Sequence, residues 1–125
     1  MLDINLNNYH SEVSRFTGTE AYHRWTPLSK SVLTDGAKYV ADQLQAYWLF
    51  DAIASHIDFG ELPNLDMYFS MLKVKDNEGT LTIEDGNGGV VATQSIEYTD
   101  FPLPEIKIWS QTNGSFFVHM LPSEY

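Results

Sequence analysis

The stretch from Thr34 to Ile57 is the one long segment with a helical repeat, and it constrains the fold more than any other feature. Thr34 is suited to cap a helix N-terminus, and Asp35 would place a carboxylate in the first turn, where the positive helix end favours it. The second half repeats apolar side chains at the spacing of one buried helix face. These are Ala46, Leu49, Phe50, Ile53, Ala54 and Ile57. The phase breaks at residues 43–45, so the pattern predicts either two helices or one kinked helix.

The C-terminal half follows a different pattern. Five short runs rich in β-branched and aromatic residues are separated by turn-forming Asn, Gly and Pro residues. The runs cover residues 67–75, 80–85, 90–98, 105–111 and 115–121. We therefore predict an α+β fold, in which N-terminal helices (about residues 9–58) pack on one face of a C-terminal antiparallel β-meander of about five strands (about residues 66–121). The whole chain, residues 1–125, fits a single compact domain.

The N-terminal residues carry weaker signals. Residues 1–8 alternate loosely between apolar and polar side chains, which indicates a short edge strand or an extended arm. Residues 9–16 are compatible with one short helix, and residues 31–33 form an extended lead into the Thr34 cap.

Seventeen acidic and seven basic side chains give the chain a net charge of −10. Binding to nucleic acid or to an anionic membrane depends on Lys and Arg, so we expect neither. The charge fits a partner with a basic surface, or solubility alone. The chain lacks cysteine, which excludes a disulfide scaffold and a thiol nucleophile. No stretch approaches the ~20 apolar residues of a membrane span, and the N-terminus does not resemble a signal peptide, so we expect a cytoplasmic location.

The densest polar cluster of the sequence lies around Glu20, His23 and Arg24. These side chains could form an acid/base or anion-holding group. The alternative is an ion pair between Glu20 and Arg24, which are four residues apart. Trp48 and Asp51 complete a candidate pocket between the helices and the sheet. Asp51 would be either partly buried and paired, or exposed on the polar side of its helix.

The sequence contains no recognisable metal or cofactor motif. Its four histidines, His10, His23, His56 and His119, show no metal-ligand spacing. The stretch from Glu84 to Gly89 lacks the ligand spacing of a calcium loop, and a hairpin turn explains its glycines. We therefore assign no catalytic residue, no metal and no cofactor, and the sequence favours a protein that is not an enzyme.

Seven ordered blocks of the chain resemble an uncharacterised family, a domain of unknown function found in small proteins of bacteria, phages and plasmids. The blocks are FTGTE (16–20), YHRW (22–25), LTDGAKYVA (33–41), AYWLFDAIAS (46–55), EDGNG (84–88), IEYTDFPL (96–103) and LPSEY (121–125). The resemblance implies one compact domain from a mobile genetic element. It implies no substrate, cofactor or catalytic residue. In setting and acidity the chain is also similar to phage inhibitors of host defence proteins, an analogy that does not establish function.

The leading hypothesis is a small acidic protein-binding or regulatory protein of mobile-element origin, such as a phage-type inhibitor of a host defence or nucleic-acid-binding protein. Its partner would be a host or phage protein whose basic surface meets the carboxylates of Asp76, Glu78, Glu84 and Asp85. The alternative is a small ligand-binding or enzymatic domain that uses the candidate pocket. A homo-oligomer that buries the numerous aromatic side chains is the third hypothesis.

Overall fold

A computed structural model describes residues 18–125 of the chain. The edge strand or arm predicted at residues 1–8 and the helix predicted at residues 9–16 lie outside the described residues. The described part contains two α-helices and six β-strands. In chain order these are β1 (Val32–Leu33), α1 (Asp35–Gln43), α2 (Tyr47–Phe59), β2 (Met67–Lys75), β3 (Glu78–Glu84), β4 (Val90–Ile96), β5 (Glu105–Thr112) and β6 (Phe117–Met120), followed by a 3-10 turn (Pro122–Glu124).

The long helical stretch forms two helices, which confirms the first of the two predicted alternatives. Thr34 caps α1, because its hydroxyl oxygen accepts a hydrogen bond from the Ala37 amide at 3.2 Å. Gln45, between the helices, has a φ of 49°. This left-handed conformation cannot continue a helix, so α1 ends and the chain turns into α2.

The six strands form one mixed sheet in the order β1-β6-β5-β2-β3-β4. The prediction of an antiparallel meander of about five strands was wrong in the number of strands, in their order and in the direction of one strand pair. Strand β1 is the sixth strand and runs parallel to β6, and β5 pairs with β2 instead of following β4. The helices are not all N-terminal, because β1 precedes them and the 3-10 turn comes last. The extended conformation predicted for residues 31–33 is confirmed at Val32–Leu33. Two residues are too few to show alternation, which is why the sequence did not reveal that they join the sheet.

The connection between β4 and β5 explains the strand order. Residues 97–104 cross the end of the β2–β3 hairpin, where the Thr99 amide donates to the Asn77 carbonyl and the Val74 amide donates to the Pro104 carbonyl, both at 2.8 Å. The connection also places Phe101 in the core. Burial of such a side chain stabilises the crossing by roughly 1.5–3 kcal/mol. The chain therefore re-enters the sheet beside β2.

One face of the sheet carries the main core. Side chains from β2, β3 and β5 pack with α2 in one buried cluster. They include Leu72, Leu81, Ile106 and Ile108 from the strands and Leu49, Phe50 and Ile53 from the helix. A hydrogen bond of 2.8 Å between His56 Nε2 and Gln94 Oε1 links α2 to β4. This two-layer arrangement of helices on a sheet confirms the α+β class. Neither helix formed within residues 18–125 is long and apolar enough to span a membrane.

Candidate functional site

The N-terminus of α1 gathers polar groups from distant parts of the chain. The Glu124 carboxylate accepts hydrogen bonds from the Gly36 amide at 2.9 Å, the Leu121 amide at 3.0 Å and the Thr34 hydroxyl at 2.5 Å. A Cβ atom on Gly36 would lie 2.6 Å from Oε1 of Glu124, so only glycine leaves room for the carboxylate in this position. A negative charge is also favourable at the positive end of a helix. The C-terminal segment therefore helps to cap the first helix.

Asp35 holds the segment that precedes the helices. Its Oδ2 accepts from the Glu20 amide at 2.9 Å, its Oδ1 lies 2.8 Å from His23 Nε2, and its amide donates to the Thr19 hydroxyl at 2.9 Å. The hydrogen bond with His23, followed by that from the Glu20 amide, lowers the pKa of Asp35 below its ordinary value. Asp35 is therefore a charged anchor for residues 19–23.

Together these contacts form a polar junction at the start of α1, built by Thr19, Glu20, His23, Thr34, Asp35, Gly36 and Glu124. They bring Thr19 and Glu20 together in space with residues of the sequence blocks 22–25, 33–41 and 121–125. Internal donors already occupy the carboxylates of Asp35 and Glu124. This favours a structural role for the polar junction over a catalytic one.

A second feature is open to the outside. A groove runs along α2, between this helix and the loop of residues 24–31, and we call it the α2 groove. It consists of three adjoining depressions of about 350, 330 and 450 Å³. The first and second depressions share Thr26 and Asp51. The second and third share four lining residues, Leu28, Ser29, Asp58 and Phe59.

Two carboxylates of α2 fix the opposite wall of the groove. Trp25 Nε1 donates to Asp51 Oδ1 at 2.7 Å, and Ser29 Oγ donates to Asp58 Oδ2 at 2.6 Å. The Trp25 ring also packs edge-on against the buried His119 ring, with 5.8 Å between centroids. Asp51 and Asp58 are seven residues apart, which is two helical turns, so both lie on one side of α2. The loop is thereby fastened to the helix at two points and to the core at a third.

The groove leaves both apolar and charged groups accessible. Leu28 is 81% exposed and Phe59 is 75% exposed. The Arg24 guanidinium donates to the Ser29 carbonyl at 3.0 Å and stiffens the loop. From residues 18–125, neither Oδ2 of Asp51 nor Oδ1 of Asp58 receives a hydrogen bond. The site therefore offers large apolar contacts beside two carboxylate oxygens that can each accept a donor.

The five residues of the predicted pocket lie in three separate places. Arg24 and Asp51 line the first depression of the α2 groove. Glu20 and His23 belong to the polar junction. Trp48 lies against the connection between β4 and β5.

Trp48 packs edge-on against Phe101 of the β4–β5 connection, with 6.5 Å between ring centroids. Asp51 combines parts of its two alternatives, because it is exposed and yet paired with the indole of Trp25. The Arg24 guanidinium binds the Ser29 carbonyl. This distribution gives no support to an acid/base centre built from the five residues.

Sequence reasoning missed four residues of the groove, Leu28, Ser29, Asp58 and Phe59. The seven-residue spacing of Asp51 and Asp58 was the one usable signal, because it places both carboxylates on the same side of a helix. Leu28 sits in an aperiodic loop after Pro27, where no pattern indicates its exposure. Its place in the groove depends on contacts between distant segments.

The four carboxylates of the predicted acidic surface form two groups. Asp76 and Glu78 lie at the β2–β3 turn, whereas Glu84 and Asp85 lie at the other end of β3. Glu84 lies six positions beyond Glu78 along the extended strand, a distance of roughly 20 Å. Lys75 also stands opposite Glu78 in the strand register. The four residues therefore do not form one continuous patch.

The stretch from Glu84 to Gly89 is a hairpin turn. The Asp85 carboxylate accepts from the Asn87 amide at 2.7 Å and from the Gly89 amide at 3.0 Å. These bonds, the one from Asn87 first, lower the pKa of Asp85. Gly86 and Gly88 have positive φ angles of 85° and 88°, which glycine adopts without strain. The hairpin interpretation of these glycines is confirmed.

A serine and a histidine meet in the core but lack access to solvent. His119 Nδ1 lies 2.6 Å from Ser110 Oγ, and both side chains are fully buried. Burial lowers the pKa of His119 to about 3, so the ring is neutral near pH 7. No substrate can reach this pair in the folded protein, so it belongs to the core. Among the described residues, no group of three His, Asp or Glu side chains is arranged to hold a metal ion.

Comparisons with other proteins bear on ancestry and fold. A family model described as "Family of unknown function (DUF6876)" matches residues 7–125. The chain is also similar to the crystal structure of a protein of unknown function from Enterococcus faecalis, with a TM-score of 0.59 and 21% identity over 84% of this chain and 98% of that chain. This likeness concerns the fold alone. No curated protein matches the sequence.

Proposed function

Because the chain belongs to DUF6876, a family of unknown function, we propose its function from the structure itself: it is a protein-binding module. Its α2 groove holds a segment of a partner protein that carries apolar and basic side chains. The exposed Leu28 and Phe59 beside Asp51 and Asp58 are the observation that carries this proposal.

The apolar part of the argument rests on exposure. Exposed large apolar side chains grouped beside a groove are typical of binding surfaces, whereas scattered ones need no explanation. Leu28 and Phe59 line the same two depressions, so they form a group. Phe116 and Phe117 of β6 and its hairpin extend the third depression. A partner segment would gain most of its binding free energy by covering these side chains.

The charged part of the argument selects the partner. Asp51 and Asp58 each keep an oxygen that a Lys or Arg side chain can reach, and the whole chain carries a net charge of −10. A charge-assisted hydrogen bond to a carboxylate contributes more than a neutral one. Long-range attraction speeds the encounter with a basic partner and weakens as salt is added.

The proposed partner is a cytoplasmic host or phage protein with a basic surface, including one that binds nucleic acid. The acidity of the chain and the mobile-element setting implied by its sequence blocks support this choice. By competing for such a surface, the protein would inhibit the partner, which is the regulatory, anti-defence role we propose.

Selection from a displayed random peptide library tests the groove directly. We expect the immobilised protein to enrich peptides that combine Lys or Arg with apolar or aromatic residues. The Leu28→Asp and Phe59→Asp variants should bind a selected peptide about tenfold more weakly or worse, since a central apolar contact contributes more than ~1.4 kcal/mol. Asp51→Asn and Asp58→Asn should weaken binding mainly at low salt.

Tyr98→Asp is the matched control, because Tyr98 is 71% exposed and does not line the α2 groove. It should bind the selected peptides as the wild type does. Selected peptides that lack basic residues, or that bind the groove variants and the wild type equally, would contradict the proposal.

A further inference from the structure

Two exposed hairpin turns of this protein contain the dipeptide Asn-Gly, which occurs nowhere else in the sequence. Asn87-Gly88 lies in the turn between β3 and β4, and Asn113-Gly114 lies in the turn between β5 and β6. An asparagine side chain is open to attack by the backbone nitrogen of the next residue, and glycine leaves that nitrogen unhindered because it has no Cβ atom. The two sites share sequence and exposure, so we compare their hydrogen bonds.

The groups that would react at Asn87 are free. Among residues 18–125, the Gly88 amide donates no hydrogen bond and the Asn87 side chain makes none. The flanking amides of Asn87 and Gly89 both donate to the Asp85 carboxylate, at 2.7 and 3.0 Å. The turn is thus fastened on each side of Gly88, and the Asn87 side chain can rotate towards the Gly88 nitrogen without losing a hydrogen bond.

The corresponding groups at Asn113 are occupied. The Gly114 amide donates to the Thr112 hydroxyl at 3.0 Å. The Asn113 side-chain oxygen accepts from the amides of Ser115 and Phe116, at 3.0 and 3.1 Å. These bonds must break before the Gly114 nitrogen can reach the side-chain carbon. The loss of one hydrogen bond slows a reaction by about two- to tenfold, so the two sites should differ by at least about tenfold.

We propose that Asn87 is a modification site, at which the side chain deamidates spontaneously through a cyclic imide. The Gly88 nitrogen bonds to the side-chain carbonyl carbon and gives its proton to solvent, while the side-chain nitrogen takes a proton from solvent and leaves as ammonia. A water molecule then opens the imide. Attack at the side-chain carbonyl yields aspartate, whereas attack at the backbone carbonyl yields isoaspartate, in which the main chain runs through the side-chain carbon.

The Asp85 carboxylate opposes this reaction, because its negative charge disfavours loss of the Gly88 amide proton. The opposition is weak, since Asp85 lies in a surface turn where dissolved ions screen its charge. The three hydrogen bonds that hold the Asn113 site outweigh one screened charge at Asn87. Asn87 therefore remains the faster site.

Both products alter the turn between β3 and β4. Each adds a carboxylate two residues from Asp85, in a chain whose net charge is already −10. Isoaspartate also lengthens the main chain by one methylene group before Gly88, which displaces the flanking amides from the Asp85 carboxylate. The modified turn should therefore hold the two strands together less firmly.

Peptide mapping by mass spectrometry, after the whole protein has been incubated in a mildly alkaline buffer, measures both sites in one sample. We expect aspartate and isoaspartate to accumulate at Asn87 at least about tenfold faster than at Asn113. In concentrated urea the two rates should converge, because unfolding removes the hydrogen bonds of the Asn113 turn. Equal rates in the folded protein, or a faster reaction at Asn113, overturn the proposal. A tenfold difference that persists in urea contradicts it as well, because the fold would then not be the cause.

Thr112→Val is the matched variant for the protected site. It removes the hydroxyl that accepts from the Gly114 amide and keeps a β-branched side chain in β5. The rate at Asn113 should rise about two- to tenfold, while the rate at Asn87 stays unchanged. An unchanged rate at Asn113 would show that hydrogen bonding does not set the difference between the sites.

Asn87→Gln tests the effect on the turn, because glutamine forms the larger imide ring much more slowly. After incubation, the wild type should unfold at a lower urea concentration than fresh protein, whereas Asn87→Gln should keep its midpoint. An equal loss of stability in both proteins would assign the loss to another site. This inference goes beyond the proposed function, since Asn87 does not line the α2 groove. Peptide binding and deamidation can therefore fail independently.

Discussion

Gly36 shows how a single missing side chain organises the start of the fold. A Cβ atom there would lie 2.6–2.9 Å from three atoms of the Glu124 carboxyl group. This carboxylate also accepts a hydrogen bond from the Gly36 amide. In most helix positions alanine is up to ~1 kcal/mol better than glycine. Here the methyl group would displace a charged acceptor from the helix end, and such hydrogen bonds contribute about 1.5–3 kcal/mol.

We therefore expect Gly36→Ala to lower the free energy of unfolding by about 1–2 kcal/mol in urea denaturation. The same substitution in a Glu124→Ala background should instead be neutral or stabilising by a few tenths to ~1 kcal/mol, because no carboxylate remains to be displaced. Equal effects in both backgrounds would mean that the space at Gly36 is unrelated to Glu124.

The element between the two helices can be tested in the same way. Gln45 has a positive φ, a conformation that costs a residue with a Cβ roughly 1–2 kcal/mol. Gln45→Gly should raise the free energy of unfolding by about 0.5–1 kcal/mol, the strain relieved being partly offset by the larger entropy of the unfolded chain. Gln43→Gly is the control, since Gln43 is also exposed but ends α1 in a helical conformation. Gln43→Gly should lower the free energy of unfolding by about 0.5–1 kcal/mol. If both variants changed the free energy of unfolding in the same direction, strain at Gln45 would be contradicted.

Local patterns explain which elements the sequence could predict. The two helices follow from periodicity within their own residues, and strand β2 follows from its β-branched and aromatic residues. The turn at Asp85 follows from its glycines and carboxylate. Residues 31–33 were predicted to be extended, but the membership of β1 in the sheet could not be predicted, because two residues show no period and its partner, β6, is 86 residues away. The pairing of β5 with β2 depends on how residues 97–104 cross the hairpin, which no local pattern records.

The candidate site follows the same division. Arg24 and Asp51 could be singled out because charged residues beside apolar runs are visible in the sequence. Their separation from Glu20 and His23 could not, since it arises from the hydrogen bonds of Asp35 at the start of α1. Leu28 was missed because exposure of a loop residue depends on what the rest of the chain covers.

At the scale of the whole molecule, the four carboxylates of the predicted acidic surface fall into two separate groups. An extended strand rises about 3.3 Å per residue, so Glu78 and Glu84 lie at opposite ends of β3 although they are close in sequence. The α2 groove therefore depends on its own two carboxylates, Asp51 and Asp58, beside exposed apolar groups. Salt should weaken the contact that this groove makes with a basic partner.

The acid stability of the whole molecule should be governed by His119 above pH 4. Burial holds the pKa of this histidine at about 3 in the folded protein, against 6.5 for the ordinary side chain. Between these values the unfolded chain binds a proton that the folded chain does not. The stability contributed by neutral His119 is therefore complete above pH 6.5 and is lost as pH falls, at up to ~1.4 kcal/mol per pH unit, or about 2 kcal/mol by pH 5. Asp35 and Asp42, whose pKa values are lowered, contribute stability that is lost only below about their ordinary value of 3.8.

Urea unfolding measured at intervals from pH 7 to about pH 4 tests this directly. His119→Asn keeps a polar group near Ser110 but cannot titrate in this range, so its stability should vary much less with pH than that of the wild type. The slope is the informative quantity, because the substitution alters the absolute stability through packing as well. His56→Asn is the matched substitution at a half-buried histidine outside the core, and it leaves the pair of Ser110 and His119 intact. Parallel slopes for the wild type and His119→Asn would show that the buried ring does not set the acid limit of this fold.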